Sequence, residues 1–349
     1  MNSSDIARLA GVSRSTVSRV LNNYDDIPEK TRKKVERVIQ KYGYVPNASG
    51  QMLAGQSNHI LGFFVADLVE NDDNFTLCRS DVFTDLLGYA ADIARNLHYN
   101  ILISILTNHN TDELDRLLMG KSVSGAIIIG DTMDQAKLDL LADRGCKLCL
   151  HNQRPKSNHP NIINVNVGNY HFGYEAAKEL LENGHRRIAM VTGTFQKYTV
   201  MERYRGFLAA LDEYGIEFDD AHLLAIGEFH RTFGAYDATR ELLERNADNP
   251  PTAIIVANSP MLPGVVQALT ECGMRIPQDI SVIGVGGSIY PAITSPPVTN
   301  LYHDISRIAS VMVSKLIELV EMGQLDQNNF LLPECNLVRR DSIRNLNCQ

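Results

Sequence analysis

Apolar residues over the first forty or so positions recur in three short bursts, each with helical spacing. Ile6, Leu9 and Ala10, then Val17, Val20 and Leu21, then Val35, Val38 and Ile39 all fall at i, i+3, i+4. That is the stripe of an amphipathic helix with one buried face. The breaks between the bursts carry their own chemistry. Ser3 or Ser4 is placed to cap the first helix, and Gly11-Val12-Ser13 forms a tight turn in which Ser13 caps the second. Residues 22–27 form a loop, Pro28 pre-sets the first turn of the third helix, Gly43 ends it and Pro46 follows. Two short helices joined by a tight turn and closed by a third predict a helix-turn-helix.

From Ile60 the period changes to short apolar runs alternating with amphipathic helices. The runs Ile60–Ala66, Asn100–Ile105, Ala126–Ile129, Lys147–Leu150, Arg187–Val191, Ala253–Val256 and Ile280–Val285 read as strands. Phe83–Asn96, Gly173–Asn183, Arg203–Tyr214 and Pro260–Cys272 read as helices between them. Such alternation predicts parallel, doubly wound sheets. The rhythm occurs twice, before and after Asn161–Val167, which predicts two similar subdomains with a cleft between them.

Charge sharpens this division. The 349-residue chain has a net charge of −8, unpromising for a nucleic-acid binder. Residues 1–58, however, hold nine Lys/Arg against five Asp/Glu, a net of +4, leaving −12 on the remainder. A basic head sits on an acidic body. In the second helix Arg14, Ser15, Ser18 and Arg19 line the face opposite Val17, Val20 and Leu21. Arg pairs bidentately with guanine and Ser can contact any base edge, so this face suits the major groove. Lys30, Arg32, Lys33, Lys34, Arg37 and Lys41 on the third helix are placed for phosphates.

Other classes fit poorly. No apolar leader opens the chain and no apolar run approaches the roughly 18 residues of a membrane span, so the expectation is a cytoplasmic protein without membrane contact. Six scattered cysteines are not a disulfide framework, and the lone Cys146-x-x-Cys149 lacks the second pair of a zinc site, so no metal or cofactor is expected. Gly284-Val-Gly286-Gly287 follows a strand but lacks the third glycine and acidic partner of a dinucleotide loop. His185 reads as a structural loop-to-strand residue. An enzyme is not expected.

The stretches Asp5-Ile-Ala-Arg-Leu-Ala-Gly-Val-Ser-Arg-Ser-Thr-Val-Ser-Arg-Val-Leu-Asn22, Ile27-Pro-Glu-Lys-Thr-Arg32 and Tyr42-Gly-Tyr-Val-Pro-Asn47 closely resemble the headpiece of the lactose-repressor (LacI/GalR) family. The resemblance implies base reading by Arg14, Ser15 and Arg19, and phosphate contacts from Ser13, Thr16, Asn22 and Thr31. It also implies a hinge helix that wedges Leu53 into the minor groove. Gly50 and Gln51 depart from the Ala and Arg usual there, and Gly inside a helix costs ~1 kcal/mol relative to Ala. More loosely, Gly173-Tyr-Glu-Ala-Ala177, Gly184-His-Arg-Arg-Ile188, Arg203-Tyr-Arg-Gly-Phe207, Ile276-Pro-Gln-Asp-Ile-Ser-Val-Ile-Gly284 and Leu337-Val-Arg-Arg-Asp-Ser342 are similar to the family's body.

The fold thus expected is a small all-α helix-turn-helix headpiece (1–46), a hinge and linker (47–59), and an α/β periplasmic-binding-protein-like body (60–342). The resemblance implies three chain crossings between an N-subdomain (about 60–162 and 295–323) and a C-subdomain (about 165–290 and 326–342). It further implies a homodimer on a double-stranded operator and a small-molecule effector in the cleft, at Asn152, Arg203, Asn258, Gly286 and His303. No apolar heptads follow Arg340, which favours a dimer over a tetramer. Sugar-binding members commonly carry Asp where Asn152 and Gly286 stand. Either the effector is not an ordinary neutral sugar but a sugar derivative, an anionic one being favoured because Arg203 is kept and His303 adds a donor when protonated, or the acidic 69–80 connection (Glu70, Asp72, Asp73) restores the missing groups, or a protein partner controls the body instead.

Overall fold

In the computed structural model the described residues are 1–21, 24, 26–44, 58–66, 81–106, 112–130, 133–154, 158–227 and 232–347. Asn22, the hinge with Gly50, Gln51 and Leu53, and the 67–80 connection lie outside them. The chain divides into two compact units, Met1–His59 and Ile60–Gln349.

The first unit holds α1 (Ser3–Ala10), α2 (Arg14–Leu21) and α3 (Glu29–Tyr42). Their core is Ile6, Ala7, Ala10, Val17, Val20 and Val35. Two details differ from the sequence reading. Leu9 is exposed and Ala7 buried in its place, because α1 turns its Ile6–Ala7–Ala10 edge to the other helices. The cap of α1 is Asn2, not Ser3 or Ser4: its side chain accepts from the Ser4 and Asp5 amides, while Asp5 accepts from the Asn2 amide at 3.0 Å. This reciprocal capping box satisfies donors at both ends of the turn. Ser13 caps α2 as expected, accepting from the Thr16 amide at 3.0 Å.

The second unit carries two six-stranded sheets among its described residues. In chain order its strands are β1 (Ile60–Ala66), β2 (Asn100–Leu106), β3 (Gly125–Ile129), β4 (Leu148–His151), β5 (Ile162–Val167), β6 (Ile188–Thr192), β7 (Leu224–Ile226), β8 (Ala253–Val256), β9 (Ser281–Val285), β10 (Thr299–Tyr302), β11 (Asn329–Leu332) and β12 (Asn336–Val338). Sheet A runs β11-β5-β4-β3-β1-β2 and sheet B runs β12-β10-β9-β8-β6-β7. All pairings are parallel except β10 with β12.

Both faces of each sheet are covered, which is why the strands read as continuous apolar runs. On sheet A, Phe63 and Ile127 pack with Leu86 and Ala90 of α4 (Asp81–Asn96). Their strand neighbours Phe64 and Ile128 pack on the other face, with Leu114 of α5 (Asp112–Met119) and Leu138 of α6 (Gln135–Asp143). On sheet B, Met190 and Ile255 meet Phe172 of α7 (Asn169–Glu182) and Phe207 of α8 (Tyr198–Glu213). Beyond α8 come the single turn α9 (Asp220–Leu223), then α10 (Thr232–Glu244) and α11 (Leu262–Glu271).

The chain crosses between the sheets three times, but later than the sequence reading places it. Residues 295–323 do not all belong with sheet A: β10 pairs with β9 in sheet B, and only α13 (Ile305–Met322), after the single turn α12 (Tyr290–Ile293), packs on the sheet A side. Residues 326–342 likewise divide, β11 joining β5 in sheet A and β12 joining β10 in sheet B. The segment read as a divider, 161–167, is itself the buried strand β5. Crossings therefore follow Val167, Tyr302 and Leu332. Their positions depend on backbone pairing partners, which short Asn-containing strands do not reveal by hydropathy.

Candidate functional site

In the headpiece, the residues singled out for base reading share one exposed surface. Ser13, Arg14, Ser15 and Arg19 are exposed, whereas Val17 and Val20 on the opposite side of α2 are buried. The Arg14 Nε donates to Ser3 Oγ at 3.0 Å, tying the start of α2 to α1. Ser13 Oγ lies 2.7 Å from Ser15 Oγ and 2.8 Å from Thr16 Oγ1, so three hydroxyls cluster at the helix N-terminus. Unsatisfied amides and a positive dipole end favour phosphate there. Thr31 sits in the first turn of α3, its amide donating to the Pro28 carbonyl at 2.8 Å. Arg19 is paired with Asp26, and its guanidinium carbon lies 5.3 Å from the Tyr24 ring centroid. Both partners of that pair are half-exposed, so the pair is worth at most ~1 kcal/mol and yields readily to a stronger acceptor.

In the body, four of the five positions expected at the cleft come together because they follow strands. Asn152, Gly286 and His303 come directly after β4, β9 and β10, and Asn258 two residues after β8, at carboxyl ends, where open α/β sheets place ligands. Arg203 comes from α8, and its place is set by glycines. A Cβ on Gly206 would stand 1.8 Å from the Tyr170 carbonyl oxygen, and one on Gly173 would stand 1.8 Å from the Arg203 carbonyl oxygen. Only glycine at both sites lets α7 and α8 touch backbone to backbone. That contact brings Arg203 against Asn169 at the head of α7.

A polar chain then spans both subdomains. Asn152 Oδ1 accepts from Asn169 Nδ2 at 3.3 Å, Asn169 Oδ1 accepts from Arg203 Nε at 3.0 Å, and Arg203 Nη1 donates to the Ala257 carbonyl at 2.5 Å. Asn152 itself holds a left-handed backbone, φ 55°, and donates from Nδ2 to His151 Nε2 at 3.0 Å. His151 donates from Nδ1 to the Val165 carbonyl at 2.8 Å, which fixes the neutral tautomer. Burial lowers its pKa to about 4. Asn169 and His151 were not singled out by sequence. A His immediately before Asn152 at a strand's carboxyl end was the available signal.

Two expectations change. His303 is not a ready cation: burial, then the Arg203 charge and His151, lower its pKa to about 3. Its ring meets Phe172 edge-on at 5.2 Å, and its buried Nδ1 has no hydrogen-bond partner. Gly286, for its part, is not simply a lost carboxylate. With φ 130° it admits side chains poorly, and a Cβ would lie 2.5 Å from Ser259 Oγ. The serine occupies the space an aspartate would need. Asn258 is buried beside it.

The rim of the cleft is bridged once more. Asp81, opening α4 on sheet A, accepts through Oδ2 from Ser288 Oγ at 2.7 Å and from the Ile289 amide at 2.8 Å, both just beyond β9 of sheet B. The remaining chemistry-bearing residues are structural. Cys149 is buried in β4, which raises its pKa. His185 bonds Thr252 Oγ1 at 3.0 Å and the Arg344 carbonyl at 3.1 Å. No described helix is long and apolar enough to cross a membrane.

Comparison with known proteins agrees with this architecture. Residues 4–47 match the family described as bacterial regulatory proteins, lacI family, and residues 177–343 match a periplasmic binding protein-like domain. The chain is 28% identical over 320 residues to the HTH-type transcriptional repressor PurR of Pasteurella multocida, covering 90% of this chain and 91% of that one. It is similar to the structure of the lac repressor dimer bound to operator and the anti-inducer ONPF, with a TM-score of 0.81 and 25% identity over 97% of this chain and 98% of that one. A transcriptional regulator CelR–cellobiose complex gives a TM-score of 0.73 at 25% identity, over 97% and 98%. With a lacI-type headpiece on a periplasmic-binding-like body, and regulators rather than enzymes as its relatives, this chain belongs to the lactose-repressor (LacI) family of DNA-binding transcriptional regulators.

Proposed function

We propose that this protein is a repressor that binds a pseudo-palindromic operator as a homodimer and is controlled by a sugar or sugar derivative in the inter-subdomain cleft. The observation that carries the reading is the pairing of an exposed basic recognition surface on α2 with a cleft whose buried polar groups converge from both sheets. Residues 1–46 serve as the reading headpiece, 47–59 as hinge, and 60–342 as effector-binding and dimerisation body. Arg14, Ser15 and Arg19 read bases; Ser13, Thr16, Asn22 and Thr31 hold phosphates; Leu53 enters the minor groove.

A dimer is supported by the sheet edges. Strands β2 and β7 end sheets A and B, and each presents an isoleucine outward: Ile103 and Ile226 are both 52% exposed. Tyr89 and Leu97, on and just after α4, are exposed as well. Exposed apolar side chains on edge strands invite a second copy. The similar lac repressor is a dimer on its operator, and the similar CelR holds cellobiose.

The reading is tested by selecting binding sites from random duplexes with the full chain. The expected product is a pseudo-palindrome with half-sites about one helical turn, ~34 Å, apart, bound by two copies. Recovery of a single half-site bound by one copy would refute the dimeric reading.

A further inference from the structure

Buried charge is treated in two ways in this body. Glu179, nine-tenths buried, is met by Arg339 through two bonds, Nε to Oε1 at 2.9 Å and Nη2 to Oε2 at 2.7 Å. Arg203, only 5% exposed, has neutral acceptors alone: the Asn169 amide oxygen and the Ala257 carbonyl. Among the described residues no carboxylate forms an ion pair with it, and its Nη2 makes no hydrogen bond. A guanidinium taken out of water without a counter-charge costs several kcal/mol. Burial pulls its pKa down to about 10, and no acidic neighbour among the described residues raises it.

The described groups around Arg203 add no negative charge. His303, which feels the Arg203 charge, is held neutral, and its buried Nδ1 is unpartnered. His151 is neutral and committed to Val165 and Asn152. Asn152 Oδ1 is already occupied by Asn169, and Gly286 is closed to a carboxylate by Ser259. The aspartates with which sugar-binding members commonly grip hydroxyls are absent from the Asn152 and Gly286 positions, while a free guanidinium nitrogen, the unpartnered His303 Nδ1 and a cation without a counter-charge among the described residues remain.

Building on the cleft as the effector site, we propose that the effector is an anion, its phosphate or carboxylate group shared between the Arg203 guanidinium and the His303 imidazole. The free Nη2 and the unpartnered Nδ1 are the donors, the latter in the Nδ1-protonated neutral tautomer. The anion supplies the counter-charge that the described residues do not. Arg is the side chain suited to such a group, because its planar fork makes charge-assisted bonds to two oxygens at once.

The test is titration of the full-length protein at pH 7.5 and constant ionic strength, followed by calorimetry and thermal unfolding. The probes are inorganic phosphate against chloride, and matched sets of a neutral sugar, its phosphate and its sugar acid (glucose, glucose 6-phosphate, gluconate; ribose, ribose 5-phosphate, ribonate). Phosphate is expected to raise the Tm saturably where chloride does not. At least one anionic sugar is expected to bind about 100-fold more tightly than its neutral parent, as charged hydrogen bonds do. Arg203→Gln is expected to remove that preference, and Arg203→Lys to keep part of it. His303→Asn, which leaves the α7–α8 contact untouched, is expected to cost about tenfold in anion affinity should the Arg203 variants fail to fold. Tight binding of a neutral sugar, equal to its phosphate and unchanged in Arg203→Gln, would overturn the anion while leaving the cleft as effector site. Binding of neither class would overturn both.

Discussion

Arg19 in the headpiece and Arg203 in the body are both central to the proposed function, and they are held in opposite ways. The Arg19 side chain is 47% exposed, paired with Asp26 and laid over Tyr24. Arg203 is buried, bonded to Asn169 and Ala257, and fixed by a backbone contact between α7 and α8. An exposed cation on a surface helix exchanges partners at little cost, which suits a residue that must search many wrong sequences before finding a right one. A buried cation in a pre-formed network cannot exchange. It can only be completed, which suits selection of one small ligand. The comparison teaches that the same side chain is tuned for scanning or for selecting by the solvent around it.

The sharpest way to break the comparison is to unseat Arg203 without touching it. Gly206→Ala sets a Cβ against the Tyr170 carbonyl and must force α7 from α8, so unfolding stability of the body should fall by ~3 kcal/mol or more, read by chemical denaturation. A loss below about 1 kcal/mol would show that the helix contact is soft and Arg203 not rigidly placed.

Arg19→Ala should cost on the order of 1–3 kcal/mol at one base pair of the operator and relax specificity there, with little effect on folding. Equal losses on specific and random duplexes would reassign Arg19 to phosphate.

The buried cleft also predicts a pH response. His151 and His303 have folded pKa values of about 4 and about 3, below the unfolded value near 6.5. The unfolded chain therefore binds more protons in that window, and ligand-free stability should fall as pH drops below ~6.5, by on the order of 1–2 kcal/mol per histidine by pH 5. Replacing both with Gln should flatten the profile. A profile unchanged by the replacement would mean that neither imidazole is held neutral.

The smallest effect is expected at the exposed pair. Asp26→Asn releases Arg19 and removes a negative charge near the phosphates, so DNA affinity should rise by less than ~1 kcal/mol at unchanged Tm. A weaker complex instead would show that Asp26 positions Arg19 for reading.

The two regions also differed in how far the sequence disclosed them. The helices of the headpiece were readable because each carries its own apolar stripe and turn chemistry; only local detail moved, such as Asn2 replacing the serines as cap. Apolar strands of the body were equally plain. Strands β5 and β10 were not, because Asn164, Asn166 and Asn300 are buried polar residues whose partners are distant in sequence: Asn164 bonds Asn329 and Asn300 bonds the Gly286 carbonyl. Hydropathy marks such residues as loop. The cleft was readable as positions but not as relations. That Ser259 fills the space beside Gly286, or that His303 is kept neutral, follows from neighbours that only the fold supplies.

The three crossings place Asn169 and His303 in or directly beside the connectors, since Asn169 follows the first by one residue and His303 lies within the second. Mechanically, these connectors are a fulcrum and the sheets are the arms. A load applied at the fulcrum side moves little there and much at the far end of an arm. In sheet A the far end is the amino end of β1, where Ile60 begins a seven-residue strand, roughly 23 Å long, running toward the cleft. If the cleft holds the effector as proposed, a ligand seated on Asn169, Arg203 and His303 would work with leverage. Sub-ångström adjustments around a small molecule would then be geared up into larger sweeps at Ile60, the residue where the second unit begins.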